Sequence, residues 1–122
     1  MNLDAVMIGS SQPRELAEFY KKTLGSDPVW EDGDWSAFKI GSGAIAIGPH
    51  SDVNGSNSEP ARMIINISSE DPQKEFNRIK QTGAKVIAEP YKTGEEKNSM
   101  TLCTFADPDG NYFQICSQWE DQ

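Results

Sequence analysis

Apolar and polar positions predict a strand followed by a helix at the start of the chain. Val6 and Ile8 lie in a short apolar run that is typical of a buried strand. A stripe of residues at spacings of three and four follows, made of Leu16, Phe19, Tyr20, Thr23 and Leu24. Because proline favours an early helical position and glycine ends helices, Pro13 and Gly25 bound the predicted helix.

Three short strand-like segments follow this helix: Pro28 to Trp30, Trp35 to Ile40 and Ala44 to Ile47. Gly33, Gly41 and Gly43 separate them, a pattern that favours a meander over crossover connections. From residue 49 to residue 60 the composition changes to Gly, Pro, Ser, Asn and Asp, which is typical of a linker.

The second half of the chain repeats the order of the first. Arg62 to Ile65 repeats Ala5 to Ile8, and Phe76 repeats Phe19, both with an offset of 57 residues. The predicted elements are a strand at Met63 to Ile67, a helix at Pro72 to Gln81, and strands at Lys85 to Ala88, Thr101 to Phe105 and Asn111 to Ser117. The charged stretch 91–99 is predicted to be a mobile loop.

A length of 122 residues fits one domain, so two similar halves indicate an internal duplication. We predict a single α+β domain over residues 1–122. Its two βαβββ half-units span about 3–48 and 61–118, the linker spans 49–60, and a cleft forms where the halves meet.

The net charge of −8 argues against nucleic acid or an anionic membrane as a partner. No secretory signal is visible, and no apolar run approaches the ~20 residues of a membrane span, so we expect a cytoplasmic protein. Cys103 and Cys116 flank the same turn, but we expect two buried, reduced thiols rather than a disulfide.

Three local patterns carry a family resemblance. They are the Glu18-Phe19-Tyr20 to Leu24-Gly25 helix ending, the Phe76 to Gly83 helix followed by Lys85-Val86, and the segment Asp107-Pro108-Asp109-Gly110-Asn111 with Ile115 after it. Together they resemble the vicinal oxygen chelate superfamily, which includes glyoxalase I, extradiol dioxygenases and bleomycin-binding resistance proteins. The resemblance implies a cupped sheet made by both half-units, with the helices outside.

Metal-using members of that superfamily bind a divalent ion through four strand side chains. The corresponding positions here are Ala5, Ala46, Arg62 and Gln114, none of which is a strong ligand. His50, the only histidine, lies in the linker and is interpreted as a solvated side chain. We therefore predict no bound metal and no other cofactor.

Strand alternation predicts which side chains line the cup. The lining set is Met7, Ala44, Ala46, Arg62, Ile64, Asn66, Tyr112, Gln114 and Cys116. The opposite set, predicted to face the helices, is Val6, Ile8, Ile45, Ile47, Met63, Ile65, Phe113 and Ile115. Trp30 and Trp35 are predicted either to stack a flat ligand at the mouth, with Glu31, Asp32 and Asp34 favouring a cation, or to pack in the core beside a solvated acidic turn.

The candidate ligand-binding residues are therefore Met7, Trp30, Trp35, Ala46, Arg62, Asn66, Tyr112 and Gln114. Arg62 needs either an anionic ligand or an internal carboxylate such as Asp4 or Glu89. We predict a metal-free binder of a small flat or cationic molecule that forms a homodimer. A glyoxalase-like lyase or dioxygenase-type enzyme with an atypical site, and an interaction protein without a small ligand, stay open as alternatives.

Overall fold

The computed structural model describes residues 1–94 and 99–118. It divides into two compact units, Met1–Ser56 and Asn57–Gln122, whose boundary falls inside the predicted linker. The first unit contains β1 Ala5–Gly9, α1 Pro13–Leu24, β2 Trp30–Asp32, β3 Trp35–Ile40 and β4 Gly43–Gly48. The second contains β5 Ile65–Ser69, α2 Pro72–Gln81, β6 Lys85–Thr93, β7 Met100–Ala106 and β8 Tyr112–Ser117.

The first unit is a four-stranded sheet in the order β1-β4-β3-β2 with α1 against one face. β1 runs parallel to β4, and the other neighbours are antiparallel. Its core is formed by Leu16, Tyr20, Phe38, Ile45 and Ile47. The helical stripe of the sequence therefore meets alternate residues of β3 and β4, as strand geometry requires.

Both ends of α1 follow the predicted signals. Pro13 occupies the first turn, where a missing N–H costs no helical hydrogen bond. Gly25 has a φ of 67° and donates its N–H to the Lys21 carbonyl at 3.0 Å. A residue with a Cβ would be strained in that left-handed conformation, so glycine ends the helix here.

The described part of the second unit repeats this plan, with strands in the order β5-β8-β7-β6 and α2 against one face. Its core is an aromatic cluster. The ring centroids of Phe105 and Phe113 lie 5.6 Å apart, and those of Phe105 and Phe76 lie 5.3 Å apart. Ile79 of α2 is buried with these rings. Burial of each ring contributes about 1.5–3 kcal/mol, so we expect this cluster to be a main source of stability in the unit.

The turn that joins β7 to β8 is built around the carboxylate of Asp107. Its Oδ1 accepts from the backbone N–H groups of Asp109 at 2.9 Å and Asn111 at 3.0 Å, and its Oδ2 accepts from the Asn111 side chain at 3.0 Å. Gly110 supplies a φ of 81°. Asn57, at the start of the unit, donates its side-chain amide to Oδ1 of Asn111 at 2.9 Å. The Asp-Pro-Asp-Gly-Asn motif therefore has a structural role in this chain.

Three predicted elements have the wrong bounds. β2 spans Trp30–Asp32, where a strand was predicted at Pro28 to Trp30. β5 begins at Ile65, so the exact repeat from Ala5 to Arg62 is wrong, and Met63 is exposed before the strand instead of facing α2. β6 continues to Thr93, where a loop was predicted from residue 91. The rest of that predicted loop falls largely on residues 95–98, which lie outside the described residues.

The α+β class and the βαβββ order of each half are confirmed. Cys103 and Cys116 are buried with free thiols, as expected. In the described ranges 1–94 and 99–118, neither helix has the length and apolar character needed to span a membrane.

Candidate functional site

The sheet of the first unit has one face away from α1, which we call the first open face. Strand register puts Met7 of β1 beside Ala46 of β4, and Ala37 of β3 beside both Ala46 and Trp30 of β2. Met7 and Trp30 are 47% and 52% exposed. The predicted residues Met7, Ala46 and Trp30 therefore share one surface, with large apolar side chains beside small alanines.

Trp35 lies on the same face and covers the backbone of Gly48. A Cβ added at Gly48 would collide with the six-membered ring of Trp35, so the indole rests where any other residue would place its side chain. Because the ring is packed in this way, Trp35 is only partly exposed. Gly48 thus fixes the position of the predicted stacking ring.

The carboxylates predicted to assist these tryptophans are not all on the same face. Glu31 pairs with Ser36, and Ser36 lies in phase with Phe38 of the core, so Glu31 belongs to the helix side of the sheet. Asp34 is 2.7 Å from Nε of Arg14 in an ion pair. Only Asp32, beside Trp35 in register, remains close to the rings on the first open face. The predicted acidic mouth is therefore wrong for Glu31 and Asp34.

The second unit also has a face away from α2, the second open face. Asn66 of β5 stands directly beside Gln114 of β8. Gln114 donates from Nε2 to the hydroxyl of Thr104 at 3.1 Å, which fixes the amide and leaves its carbonyl oxygen available. Tyr112, in phase with Gln114, is half-buried on the same strand.

A cavity of about 600 Å³ opens on this second face. Its lining residues are Asn66, Ser68, Met100, Cys116 and Gln118. They offer two amides, a hydroxyl, a thioether and a thiol, and no charged side chain. Such a lining suits a neutral organic molecule with hydrogen-bonding edges, since polar groups set the orientation and the sulfur atoms supply apolar contact.

Arg62 does not occupy the predicted position. It lies three residues before β5, its side chain is 72% exposed, and it forms an ion pair with Glu59 at 3.0 Å. The prediction that it lines a closed cavity on a strand is therefore wrong, and so are the suggested partners Asp4 and Glu89. Ile64, also predicted for the lining, is half-buried just before β5.

The residues at the superfamily's metal positions do not fit a metal ion. Ala5 and Ala46 carry no donor atom, Arg62 is outside the strand, and Gln114 offers one neutral carbonyl oxygen. Within residues 1–94 and 99–118, no group of three or more His, Cys, Asp or Glu side chains is placed to hold a metal. His50 is exposed and accepts the backbone N–H of Asp52 at 3.0 Å through Nδ1, which gives it a local role in its loop.

Burial raises the pKa of both thiols from the ordinary value of 9.0. For Cys103, burial is the largest cause, the neighbouring Cys116 adds to it, and a backbone hydrogen bond at Ile115 opposes it. Both side chains are therefore neutral thiols at neutral pH. Neither is an activated nucleophile, since thiol reactivity requires the thiolate.

The raised thiol pKa values predict a loss of stability in alkaline solution. The unfolded chain releases its thiol protons near 9.0, before the folded chain does, so the free energy of unfolding falls as pH rises above that value. Below it the contribution is fully present. Urea unfolding at pH 7, 9 and 10 measures the effect. The double variant Cys103→Ala, Cys116→Ala should show a smaller decline, and equal declines in both proteins would contradict the assignment.

A second concave region, which we call the helix-side cleft, lies between α1 and the β2–β3 hairpin. It has a volume of about 450 Å³ and is lined by Pro13, Arg14, Ala17, Glu18, Glu31, Gly33, Asp34, Trp35 and Ser36. Ser36 is 5% exposed, and its hydroxyl has no hydrogen-bond partner among the described residues. A buried hydroxyl without a partner costs about 1–3 kcal/mol.

Sequence reasoning missed several of these residues. Ser68 could have been predicted, because strand alternation puts it on the same face as Asn66 of the same strand. Met100 and Gln118 lie at strand ends, where alternation gives no clear direction. The helix-side cleft combines α1 with the β2–β3 hairpin that follows it, and no spacing in the chain indicates that contact.

Comparison with known proteins places this arrangement in a family. A model of the family described as glyoxalase-like domain matches residues 5–116. A search of curated proteins finds no significant match.

Solved structures with the same fold have low sequence identity to this chain. A glyoxalase/bleomycin resistance protein/dioxygenase family enzyme from Burkholderia phytofirmans PsJN is 18% identical with a TM-score of 0.76, over 96% of this chain and 98% of that one. A glyoxalase/bleomycin resistance protein from Albidiferax ferrireducens T118 is 17% identical with a TM-score of 0.75, over 95% and 98%. An integron cassette protein from V. Cholerae is 18% identical with a TM-score of 0.75, over 98% and 96%.

These likenesses establish the fold, and the family match covers most of the chain. The resemblance read from the sequence motifs is thereby confirmed. The chain belongs to the glyoxalase-like domain family, within the vicinal oxygen chelate superfamily.

Proposed function

We propose that this protein binds a small, flat, neutral organic molecule without the help of a metal ion. The observation that carries the proposal is the uncharged cavity on the second open face, where Asn66 and Ser68 stand beside the thiol of Cys116. Placing a charge in such a lining without a counter-charge is unfavourable, so a neutral ligand is preferred.

Hydrogen-bonding geometry supports a planar partner. The amides of Asn66 and Gln114 are neighbours on adjacent strands, and each can offer a donor and an acceptor. Because Thr104 accepts from Gln114, that amide is held with its carbonyl oxygen available as an acceptor. A ligand with a donor and an acceptor on one edge, such as a heteroaromatic amide, matches this pair.

The first open face has exposed apolar side chains of the kind that stack against the ring of a planar ligand. Met7 and Trp30 expose apolar side chains there, and the alanines between them leave room for a flat group. Aromatic stacking contributes about 0.5–1.5 kcal/mol beyond the area buried. Trp30 therefore stays a predicted ligand-binding residue, together with Trp35.

A thiol-protection assay tests the cavity directly. Nicotinamide, which is flat and neutral, and bleomycin, which is cationic, are titrated while the reaction of Cys116 with a thiol reagent is followed in the Cys103→Ala variant. Nicotinamide should slow the reaction, and Asn66→Ala should abolish that protection. Gln73→Ala, an exposed amide on α2, is the matched control and should leave it unchanged.

Absence of protection by either compound would contradict the proposed site. Protection by bleomycin alone would contradict the preference for a neutral ligand. Protection that survives both Asn66→Ala and Gln114→Ala would place the binding elsewhere and favour the interaction role left open by the sequence.

We expect the purified protein to contain far less than one divalent metal per chain, because alanines and an exposed arginine occupy the superfamily's ligand positions. Elemental analysis of protein purified without chelator measures this. A stoichiometric zinc, nickel, iron or manganese that is lost in Gln114→Ala would contradict it and revive the glyoxalase-like or dioxygenase-type enzyme.

A cytoplasmic homodimer remains part of the proposal. Two free, buried cysteines suit a reducing compartment. Exposed apolar side chains outside the proposed ligand surfaces, such as Val29 and Met63, suit a surface that is covered in an assembly. Light scattering of the purified protein decides the oligomeric state, and a monomer at micromolar concentration would contradict it.

A further inference from the structure

The helix-side cleft has the features of a second binding site, and of the candidate ligand-binding residues on the open faces only Trp35 also lines it. Three carboxylates line it, those of Glu18, Glu31 and Asp34, against the single guanidinium of Arg14. Since Arg14 pairs with Asp34 at 2.7 Å, the carboxylates of Glu18 and Glu31 carry the excess negative charge of the cleft. The cleft therefore favours a cation.

The floor of the cleft provides an independent indication of a ligand. Ser36 is a cross-strand neighbour of Glu31, is 5% exposed, and has no hydrogen-bond partner for its hydroxyl among the described residues. Buried hydroxyls in native proteins are nearly always paired. A donor that reaches Ser36 from the cleft would complete its hydrogen bonding and at the same time approach Glu31.

An organic ammonium fits this arrangement better than a metal ion. In the part of the chain that the structure describes, no three acidic, histidine or cysteine side chains are grouped closely enough to hold a metal. The carboxylates are instead spread around a volume of about 450 Å³, enough for a small organic molecule. A primary ammonium carries three donors, which matches two carboxylates and one hydroxyl.

We propose that the helix-side cleft binds the primary ammonium group of a small organic amine through Glu31, Glu18 and Ser36. Arg14 competes with the amine, because it neutralises Asp34 at the rim of the same cleft. Binding does not depend on the cavity of the second open face, so failure of this proposal would leave the proposed function untouched, and the reverse also holds.

The test is a titration of the full chain with 1,4-diaminobutane, followed by backbone amide chemical shifts. We expect the largest shifts at Glu31 and Ser36, and weaker binding at higher salt. Glu31→Gln should weaken binding roughly tenfold, since a charge-assisted hydrogen bond is lost. Ser36→Ala should weaken it several-fold, and 1,4-butanediol, which has the same length but no charge, should not bind.

Two variants separate a specific site from general attraction to an acidic protein. Glu70→Gln, an exposed carboxylate of the second unit, is the matched control and should leave binding unchanged. Arg14→Gln should strengthen binding of the diamine. Shifts spread evenly over the acidic surface, equal effects of Glu31→Gln and Glu70→Gln, or weaker binding in Arg14→Gln would each overturn the proposal.

Discussion

Replacing Phe105 by alanine should lower the free energy of unfolding by about 3–5 kcal/mol. Its side chain is fully buried and lies between the rings of Phe76 and Phe113. The substitution removes the contacts to both rings and leaves a cavity that the sheet cannot close, because backbone hydrogen bonds hold β7 between its neighbours. Urea unfolding followed by circular dichroism gives the value.

Ile87→Ala is a suitable comparison, because Ile87 is on the neighbouring strand β6 but is exposed. It should cost less than about 1 kcal/mol. Similar losses for the two variants would show that the aromatic cluster is not the main source of stability in the second unit.

Replacing Asp107 by alanine should cost roughly 3 kcal/mol, because its carboxylate accepts three hydrogen bonds in a buried turn. The backbone N–H groups of Asp109 and Asn111 would lose their shared acceptor. Asp107→Asn keeps one carbonyl oxygen in the same place and should cost less. Thermal unfolding of the wild type, Asp107→Asn and Asp107→Ala ranks their stabilities, and we expect them in that order. An Asp107→Ala variant as stable as the wild type would contradict the structural role of the turn.

Local signals made the fold predictable. Pro13 and Gly25 bound α1, Pro72 begins α2, and alternating apolar residues mark β4 and β8. The shift of β5 was not predictable from the repeat. The two helices end 57 residues apart, at Leu24 and Gln81, but β1 and β5 begin 60 residues apart, at Ala5 and Ile65. The loop before α2 and α2 itself are together three residues shorter than their counterparts in the first unit.

Strand parity correctly predicted which face of its sheet each of four candidate residues occupies, while their role in ligand binding stays a prediction. Met7, Ala46, Asn66 and Gln114 all lie on the faces away from the helices. The prediction failed for Arg62, because residues just before a strand have no fixed phase. It failed for Glu31 because the predicted second strand ended at Trp30, whereas β2 runs from Trp30 to Asp32 and directs Glu31 to the helix side. The role of Ser36 could not be predicted from the sequence, because a missing hydrogen-bond partner is visible only in three dimensions.

The parallel pairing of β1 with β4 and of β5 with β8 has a consequence for synthesis on the ribosome. Each unit joins its first strand to its last, so neither sheet can close until its final strand has left the exit tunnel. The first unit meets this condition once Gly48 has emerged, before the strands of the second unit have done so. The second needs Ser117, and its first and last strands span 53 residues (Ile65 to Ser117), compared with 44 in the first unit (Ala5 to Gly48). Long-range closure of this kind is slow, and the Val, Ile and Phe side chains of the second unit are exposed to aggregation and to chaperones for longer than those of the first.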